Sequence, residues 1–355
     1  MKALHQFVSG YSKGDAISNE ARYMRTLFRA WGYDSEIFCE AGRILPEFRK
    51  DVRDIHSYNP TADAVVLLHL SIGSLVNDVF ASIPGKKAIL YHNITPHHYF
   101  AAMQPQTAQF LKWGREQMRH LAGTANVNMA VSQYNAIELE ENGYRDVRIL
   151  PIVLDFEHLH VKPDRSIFRH YEDGRTNILF VGRCAPNKRI DDLVMTFEHY
   201  HKHIDTNSRL LLVGSYAGTE SYYGLVRTLA RNHGLSEHVL FKGSATQAEL
   251  IAFYQLADLF LCTSEHEGFC IPLVEAMHFH LPVLAYDAGA IAETLDGAGV
   301  LYREKKMAEV AEMMHRMMTD TALRSAVIAK QDERLKRYQD QNLEELLRSH
   351  LAPLL

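Results

Sequence analysis

The 355-residue sequence predicts an α/β protein built as two parallel-sheet halves in tandem, and three observations carry that prediction. Short, nearly continuous apolar runs alternate with longer amphipathic stretches, the pattern of βαβ layering. The alternation lapses near residue 150 and then restarts. The chain is also longer than a usual single domain and can bury two cores. Each half therefore reads as Rossmann-like, and open α/β sheets bind ligands at the carboxyl ends of their strands.

In the first half, "KALHQFV" is the first strand, and "SNEARYMRTLFRAWG" follows as a helix with Ser18 as its candidate cap and Gly32 as its stop. "DSEIFC", "AVVLLHL", "KAILYHN" and "VNMAVS" are further strands, bounded by polar or Gly-bearing turns. The Pro-bearing stretch from Leu150 to Arg165 reads as a linker. Beyond it, "NILFVG", "RLLLVG", "HVLFKG", "LFLCTS" and "LPVLAY" are five more strands, with "IDDLVMTFEHYHKH" and "QAELIAFYQLA" as helices between them. The end of the chain is charged and helical, with Leu343, Leu346, Leu347 and Leu351 on one side. Domains are expected at 1–160 and 161–335, with 336–355 as a terminal helix.

Composition narrows the function. A net charge of -5 provides no broad basic field, so nucleic acid is not an expected partner. Cys39, Cys184, Cys262 and Cys270 match neither a CxxC redox pair nor a zinc knuckle, which suits a reducing compartment. "MKALHQFVSG" has too short an apolar run for a signal peptide, and no window approaches the ~18 apolar residues of a membrane span. The expected location is the cytoplasm.

Strand ends carry the candidate chemistry. "NILFVGRCAPNKR" puts Gly182 and Arg183 directly after a strand, with Lys188 five residues on, just before a helix. An Arg fork and a Lys point charge beside a helix start suit a diphosphate, although surface cations in a βα loop read the same way. "SEHEGFCIPLVEAM" follows another strand and opens a helix near Pro272. It separates Glu267, in the loop, from Glu275, about one turn inside the helix. The backbone N–H groups of Gly268, Phe269 and Cys270 can point at an anion there. The plainer reading makes Glu267 a solvated loop acid and Glu275 a dipole-complementing first-turn acid.

Together, "VGRCAPNK" and "SEHEGFCIPLVEAM" resemble the signature of the retaining glycosyltransferases of family 4, a Gly-Arg-x4-Lys loop and a Glu-x7-Glu loop and helix. The resemblance extends over nearly the whole chain, including "VSQYNAIELEENGYRDVRILPIVLDFEHL". It implies the two-domain GT-B fold, with Rossmann-like domains facing each other across a cleft and a C-terminal helix that crosses back to the N-terminal domain. The family usually reads Glu-Gly-Phe-Gly, so Cys270 replaces its second glycine. By the same resemblance Arg183 and Lys188 hold the donor diphosphate without a metal and Glu275 takes the ribose hydroxyls. Glu267, with Gly268, Phe269, Cys270 and Ile271, lies by the donor sugar and phosphates. In the first half, "SKGDAISNEA" is similar to the loop that closes over the donor, which places Gly14, Asp15 and Ala16 near the diphosphate. His92, after "AILY", matches a position that often faces the transferred sugar.

The implied function is transfer of a hexose from a nucleotide sugar to a hydroxyl of a saccharide or lipid-linked acceptor, with retention of configuration and no required cofactor. GDP-mannose is favoured because "HNITP" resembles enzymes of bacterial surface-polysaccharide assembly; a UDP-hexose is next. The alternatives are a sugar-nucleotide epimerase of the same fold, a phosphorylase relative, for whose pyridoxal site no similar region is present, and a non-catalytic scaffold. "PHH" at Pro96 to His98 lacks a third ligand for a metal. "FLKWGREQMRHLAG" could touch the inner face of a membrane as a peripheral contact, or it is a buried amphipathic helix.

Overall fold

The structure, a computed structural model, describes residues 2–12, 15–61 and 63–355. The chain divides into two compact units, one comprising residues 1–101, 105–153 and 342–355, the other 102–104 and 154–341. The division therefore falls at Val153/Leu154 and Gln341/Asn342, seven residues before and six residues after the expected boundaries. Packing explains both displacements. The 3₁₀ turn Glu157–His160 packs on the helix Gln247–Leu256, and Asp164 N–H donates to Ala248 O at 2.9 Å. The helix Thr321–Gln339 runs unbroken past residue 336, with Gln331 Nε2 on Leu281 O at 2.9 Å and Tyr338 Oη on Thr294 O at 2.9 Å.

The first unit holds β1 (Leu4–Val8), β2 (Ile37–Cys39), β3 (Arg53–Asp54), β4 (Val65–Leu70), β5 (Lys86–Tyr91), β6 (Val127–Ala130) and β7 (Val147–Ile149), in the order β3-β2-β1-β4-β5-β6-β7. The second holds β8 (Thr176–Val181), β9 (Ser208–Val213), β10 (Val239–Gly243), β11 (Leu259–Cys262), β12 (Val283–Tyr286) and β13 (Val300–Tyr302), in the order β10-β9-β8-β11-β12-β13. Every described strand pair is parallel. Each sheet reverses its winding once, between β1 and β4 and between β8 and β11. Those are the switch points at which such sheets bind ligands.

The apolar runs are continuous because both faces of the sheet are covered. In the second unit Ile178, Phe180, Leu210, Leu212, Leu259 and Leu261 enter one cluster, while Leu179, Leu211, Val213, Phe260 and Cys262 enter another. Successive residues thus alternate between two dry layers.

The first helix is Ala16–Ala30, capped by Asp15 and not by Ser18. The Asp15 carboxylate accepts from Ser18 N at 2.8 Å, and the Ser18 hydroxyl donates to the same oxygen at 2.6 Å. A carboxylate accepts both bonds at once, so it takes the cap position. Gly32 ends the helix as expected, at φ 89°. The terminal helix Leu343–Leu351 belongs to the first unit, where Leu347 and Leu351 are buried and Arg148 Nη1 donates to His350 O at 2.6 Å.

Candidate functional site

The loop after β8 is shaped by backbone contact. Gly182 N–H donates to Val213 O and Cys184 N–H to Ser215 O, both at 2.9 Å, so pairing with the chain of β9 continues past the named strand. Arg183, between them, has an exposed side chain, and the charge that acts on it is Glu220. The 3₁₀ turn Pro186–Lys188 follows, and Arg189, at φ 51°, leads into the helix Ile190–His203.

The loop after β11 is laced to it. Thr263 Oγ1 bonds Lys188 O at 3.0 Å and Arg189 O at 2.9 Å; Glu265 N–H donates to Asn187 O at 2.9 Å, and Asn187 Nδ2 to His266 O at 3.1 Å. This lacing brings Lys188 Nζ to 2.5 Å from Glu267 Oε1, across 79 residues of sequence. The two side chains are 21% and 9% exposed. Burial alone would lower the Lys188 pKa, but the Glu267 carboxylate reverses that and holds it above its ordinary value. Arg189 and Lys305 both pair with Asp192 and Glu265, which neutralises the acids under the loop.

Gly289 supports Glu267 from behind. It has φ 59°, and a Cβ there would meet Glu267 O at 2.5 Å and Glu267 N at 2.8 Å. Ala290 N–H also donates to Glu267 O at 3.0 Å. We expect Gly289→Ala to destabilise the protein by about 1 to 3 kcal/mol, the cost of a side chain held in a sparsely populated backbone region. Chemical denaturation measures it; a change within ±0.5 kcal/mol would mean that the contact relaxes freely.

Cys270 adopts φ 74°, ψ 67° immediately before the helix Ile271–His278. This is the left-handed conformation that glycine takes without penalty, and it explains why glycine is the commoner residue in the pattern that this chain resembles. Phe269 is buried against Tyr338, with 5.8 Å between ring centroids, and its carbonyl accepts from the Thr294 hydroxyl. Pro272 occupies the first helical turn, and Glu275 lies one turn inside.

Two partners of Glu275 were not legible in the sequence. Tyr254 Oη donates to Glu275 Oε2 at 2.7 Å; burial, and then the charge of Glu275, push the tyrosine pKa well up, so it keeps the proton that it donates. His158 Nε2 lies 3.7 Å from Oε1, and Glu275 raises the histidine pKa above its ordinary 6.5. The His158–Glu275 attraction therefore stabilises fully below pH 6.5 and is lost as pH rises through the raised value. Neither partner shares a motif with Glu275, so only tertiary structure reveals them.

The structure thus gathers Gly182, Arg183, Lys188, Glu267, Gly268, Phe269, Cys270, Ile271 and Glu275 on the β8 and β11 loops and the helix that follows β11, at the switch point of the second sheet. Asp15, Ala16 and His92 belong to the first unit, and Gly14 lies outside the described residues. Asp15 and Ala16 form the start of a helix. The His92 side chain is 2% exposed and turns toward His69 and Glu20. The helix Pro105–Leu121 buries Leu111, Gly114, Met118 and Leu121, with Arg43 over the Phe110 ring at 4.6 Å, as the buried-helix reading expects. Among the described residues no helix is long and apolar enough to cross a membrane.

Comparison with known proteins defines the class. Residues 164–336, within the second unit, match the family described as glycosyl transferases group 1. The chain is 26% identical over 211 residues to the serotype-specific mannosyltransferase WbdA of Escherichia coli, covering 56% of this chain and 25% of WbdA. It is 28% identical over 155 residues to a GDP-mannose-dependent alpha-(1-6)-phosphatidylinositol monomannoside mannosyltransferase of Mycobacterium tuberculosis, covering 41% of this chain and 39% of that protein. The chain thus spans well under half the length of these relatives. Anabaena Alr3699/HepE in complex with UDP-glucose superposes with a TM-score of 0.73 at 17% identity, over 99% of each chain. The fold is GT-B, as expected.

Proposed function

We propose that the protein is a retaining glycosyltransferase that moves a hexose from a nucleotide sugar to a hydroxyl of a saccharide or lipid-linked acceptor. The observation that carries this reading is the Lys188–Glu267 pair of 2.5 Å, set with Arg183 and Glu275 at the switch point of the second sheet. A departing nucleoside diphosphate develops negative charge on its oxygens, and a preorganised cation there lowers the barrier. Arg183 and Lys188 supply that charge, and Glu267 holds the ammonium in place. Glu267 also faces the donor sugar in this reading, as does His92 from the first unit. The backbone from Gly268 to Ile271, the Gly182 turn and the Gly14–Ala16 loop complete the hold on the donor.

Glu275 receives the ribose hydroxyls. Tyr254 holds one of its oxygens, Oε2, and His158 lies 3.7 Å from the other, so the carboxylate is positioned from both sides. We expect Glu275→Gln to weaken donor binding by roughly 1.5 to 3 kcal/mol, the worth of a hydrogen bond to a charged group, without comparable loss of folding stability. Titration calorimetry with unchanged affinity would remove Glu275 from the site.

GDP-mannose is the favoured donor, supported by the mannosyltransferase relatives; a UDP-hexose is next, supported by the neighbour solved with UDP-glucose. The reaction needs no metal and takes place in the cytoplasm, with any membrane contact peripheral. A thermal-shift screen of nucleotides and sugar nucleotides tests the reading, because a bound donor stabilises by mass action. Stabilisation by GDP or UDP and their sugars, followed by transfer that survives EDTA, supports it. Absence of any nucleotide effect at millimolar concentration overturns it.

A further inference from the structure

Beneath His92 lies a buried polar row. Gln6 Nε2 donates to Ala21 O at 2.9 Å. Gln6 Oε1 is 3.0 Å from His69 Nε2, and His69 Nδ1 is 3.0 Å from His92 Nε2. The Gln6 and His69 side chains are wholly buried.

The proton positions follow by elimination. A backbone carbonyl can only accept, so the Gln6 amide nitrogen must face Ala21 and its oxygen must face His69. Nε2 of His69 then carries the proton, because two lone pairs at 3.0 Å would repel. A neutral imidazole has one donor and one acceptor, which leaves His69 Nδ1 bare. The nitrogen facing it, His92 Nε2, must in turn carry its own proton. Burial keeps both rings neutral: His69 is pushed down to about 3, and His92 well below its ordinary value. Glu20 is the titratable group beside them, with Oε2 3.4 Å from His92 Nε2 and 3.9 Å from His69 Nδ1. Its other oxygen accepts from Val153 N at 3.1 Å, and burial raises its pKa to about 8. Glu20 therefore does not impose a positive charge on His92 at neutral pH.

The remaining nitrogen, His92 Nδ1, is buried with no hydrogen-bond partner among the described residues. An unpaired buried polar atom calls for an explanation, and a group that pairs with it on binding is one. We infer that Gln6 and His69 are positioning residues that lock His92 in the Nε2–H tautomer, so that its Nδ1 serves as an acceptor for a hydroxyl and cannot act as a proton donor. The ligand group is an O–H or N–H, and not a carbonyl or phosphate oxygen. The assignment of that group to a donor sugar rests on the proposed function; the tautomer does not.

The same three groups, Glu20, His69 and His92, also have the spacing of a metal tripod. Bound metal would require His69 Nδ1 and His92 Nε2 both to be bare, so the two arrangements exclude each other. The experiment is long-range proton–nitrogen NMR on protein labelled with ¹⁵N-histidine, with His92→Gln used to assign the His92 ring. Both His69 and His92 should show the Nε2–H pattern in the unsubstituted protein, with no donor present. His69→Leu should release His92 into a mixture of tautomers and lower kcat more than it raises KM, while His69→Gln, whose amide oxygen can accept from Nε2–H, should restore the single pattern. An Nδ1–H pattern for His92, or stoichiometric zinc uptake lost in His69→Leu, overturns the inference. If the tautomers are as stated but no nucleotide sugar binds, the proposed function fails and the positioning does not.

Discussion

Glu267→Ala is expected to lower stability by about 3 kcal/mol and to abolish measurable transfer. Removing one partner of a buried ion pair leaves the other charge without compensation, and that costs more than the pair contributes when intact. Lys188 is the group left behind. It sits under a loop whose other cations, Arg189 and Lys305, already have acids of their own, so no spare carboxylate can replace Glu267. Lys188→Ala should cost stability as well as activity, because it leaves the Glu267 carboxylate, 9% exposed, without its cation. The double variant should recover part of the stability lost in Glu267→Ala, since it removes the stranded charge. Chemical denaturation of the four proteins as a double-mutant cycle gives the coupling directly. Additive effects would show that the contact of 2.5 Å contributes nothing as a pair.

Arg183→Ala should behave in the opposite way, with turnover reduced by roughly 10²- to 10³-fold and folding stability unchanged within ±0.5 kcal/mol. The reduction is the typical cost of losing one preorganised stabiliser of developing charge. Stability should hold because the side chain is exposed, with Glu220 as its neighbouring charge. Arg183→Lys should recover only part of the activity, because an ammonium lacks the planar fork that grips two phosphate oxygens at once. Steady-state kinetics alongside a thermal melt separate the two effects. A variant that keeps full turnover would move the diphosphate away from the β8 loop.

Much of this architecture was legible in the sequence because a doubly covered sheet needs strands that are apolar throughout. "AVVLLHL" and "RLLLVG", short apolar runs bounded by polar or Gly-bearing turns, read as strands and are β4 and β9. Strands that carry little of the core were missed: β3 has two residues, β7 is half-buried along its length, and β13 contributes three residues at a sheet edge. The motif residues Arg183, Lys188, Glu267 and Glu275 were found from spacing after strands. Their partners were not, since Tyr254 and His158 reach Glu275 from other elements and share no pattern with it. Likewise Ser18 resembles a cap by residue type, but Asp15 offers a pure acceptor three residues earlier. The strand-end position of His92 is legible in the sequence, but the buried row behind it is not, since Gln6 and His69 come from two different strands.

Hydrogen–deuterium exchange with and without saturating GDP-mannose, and again with UDP-glucose, tests the central claim most directly. Slowed exchange is expected in residues 182–189 and 264–277, the two loops laced together by Thr263, Asn187 and Glu265. That protection should vanish in Arg183→Ala. Saturation confirmed by calorimetry, with those two segments unaffected and protection confined to other elements, would contradict the assignment of the donor to the β8 and β11 loops.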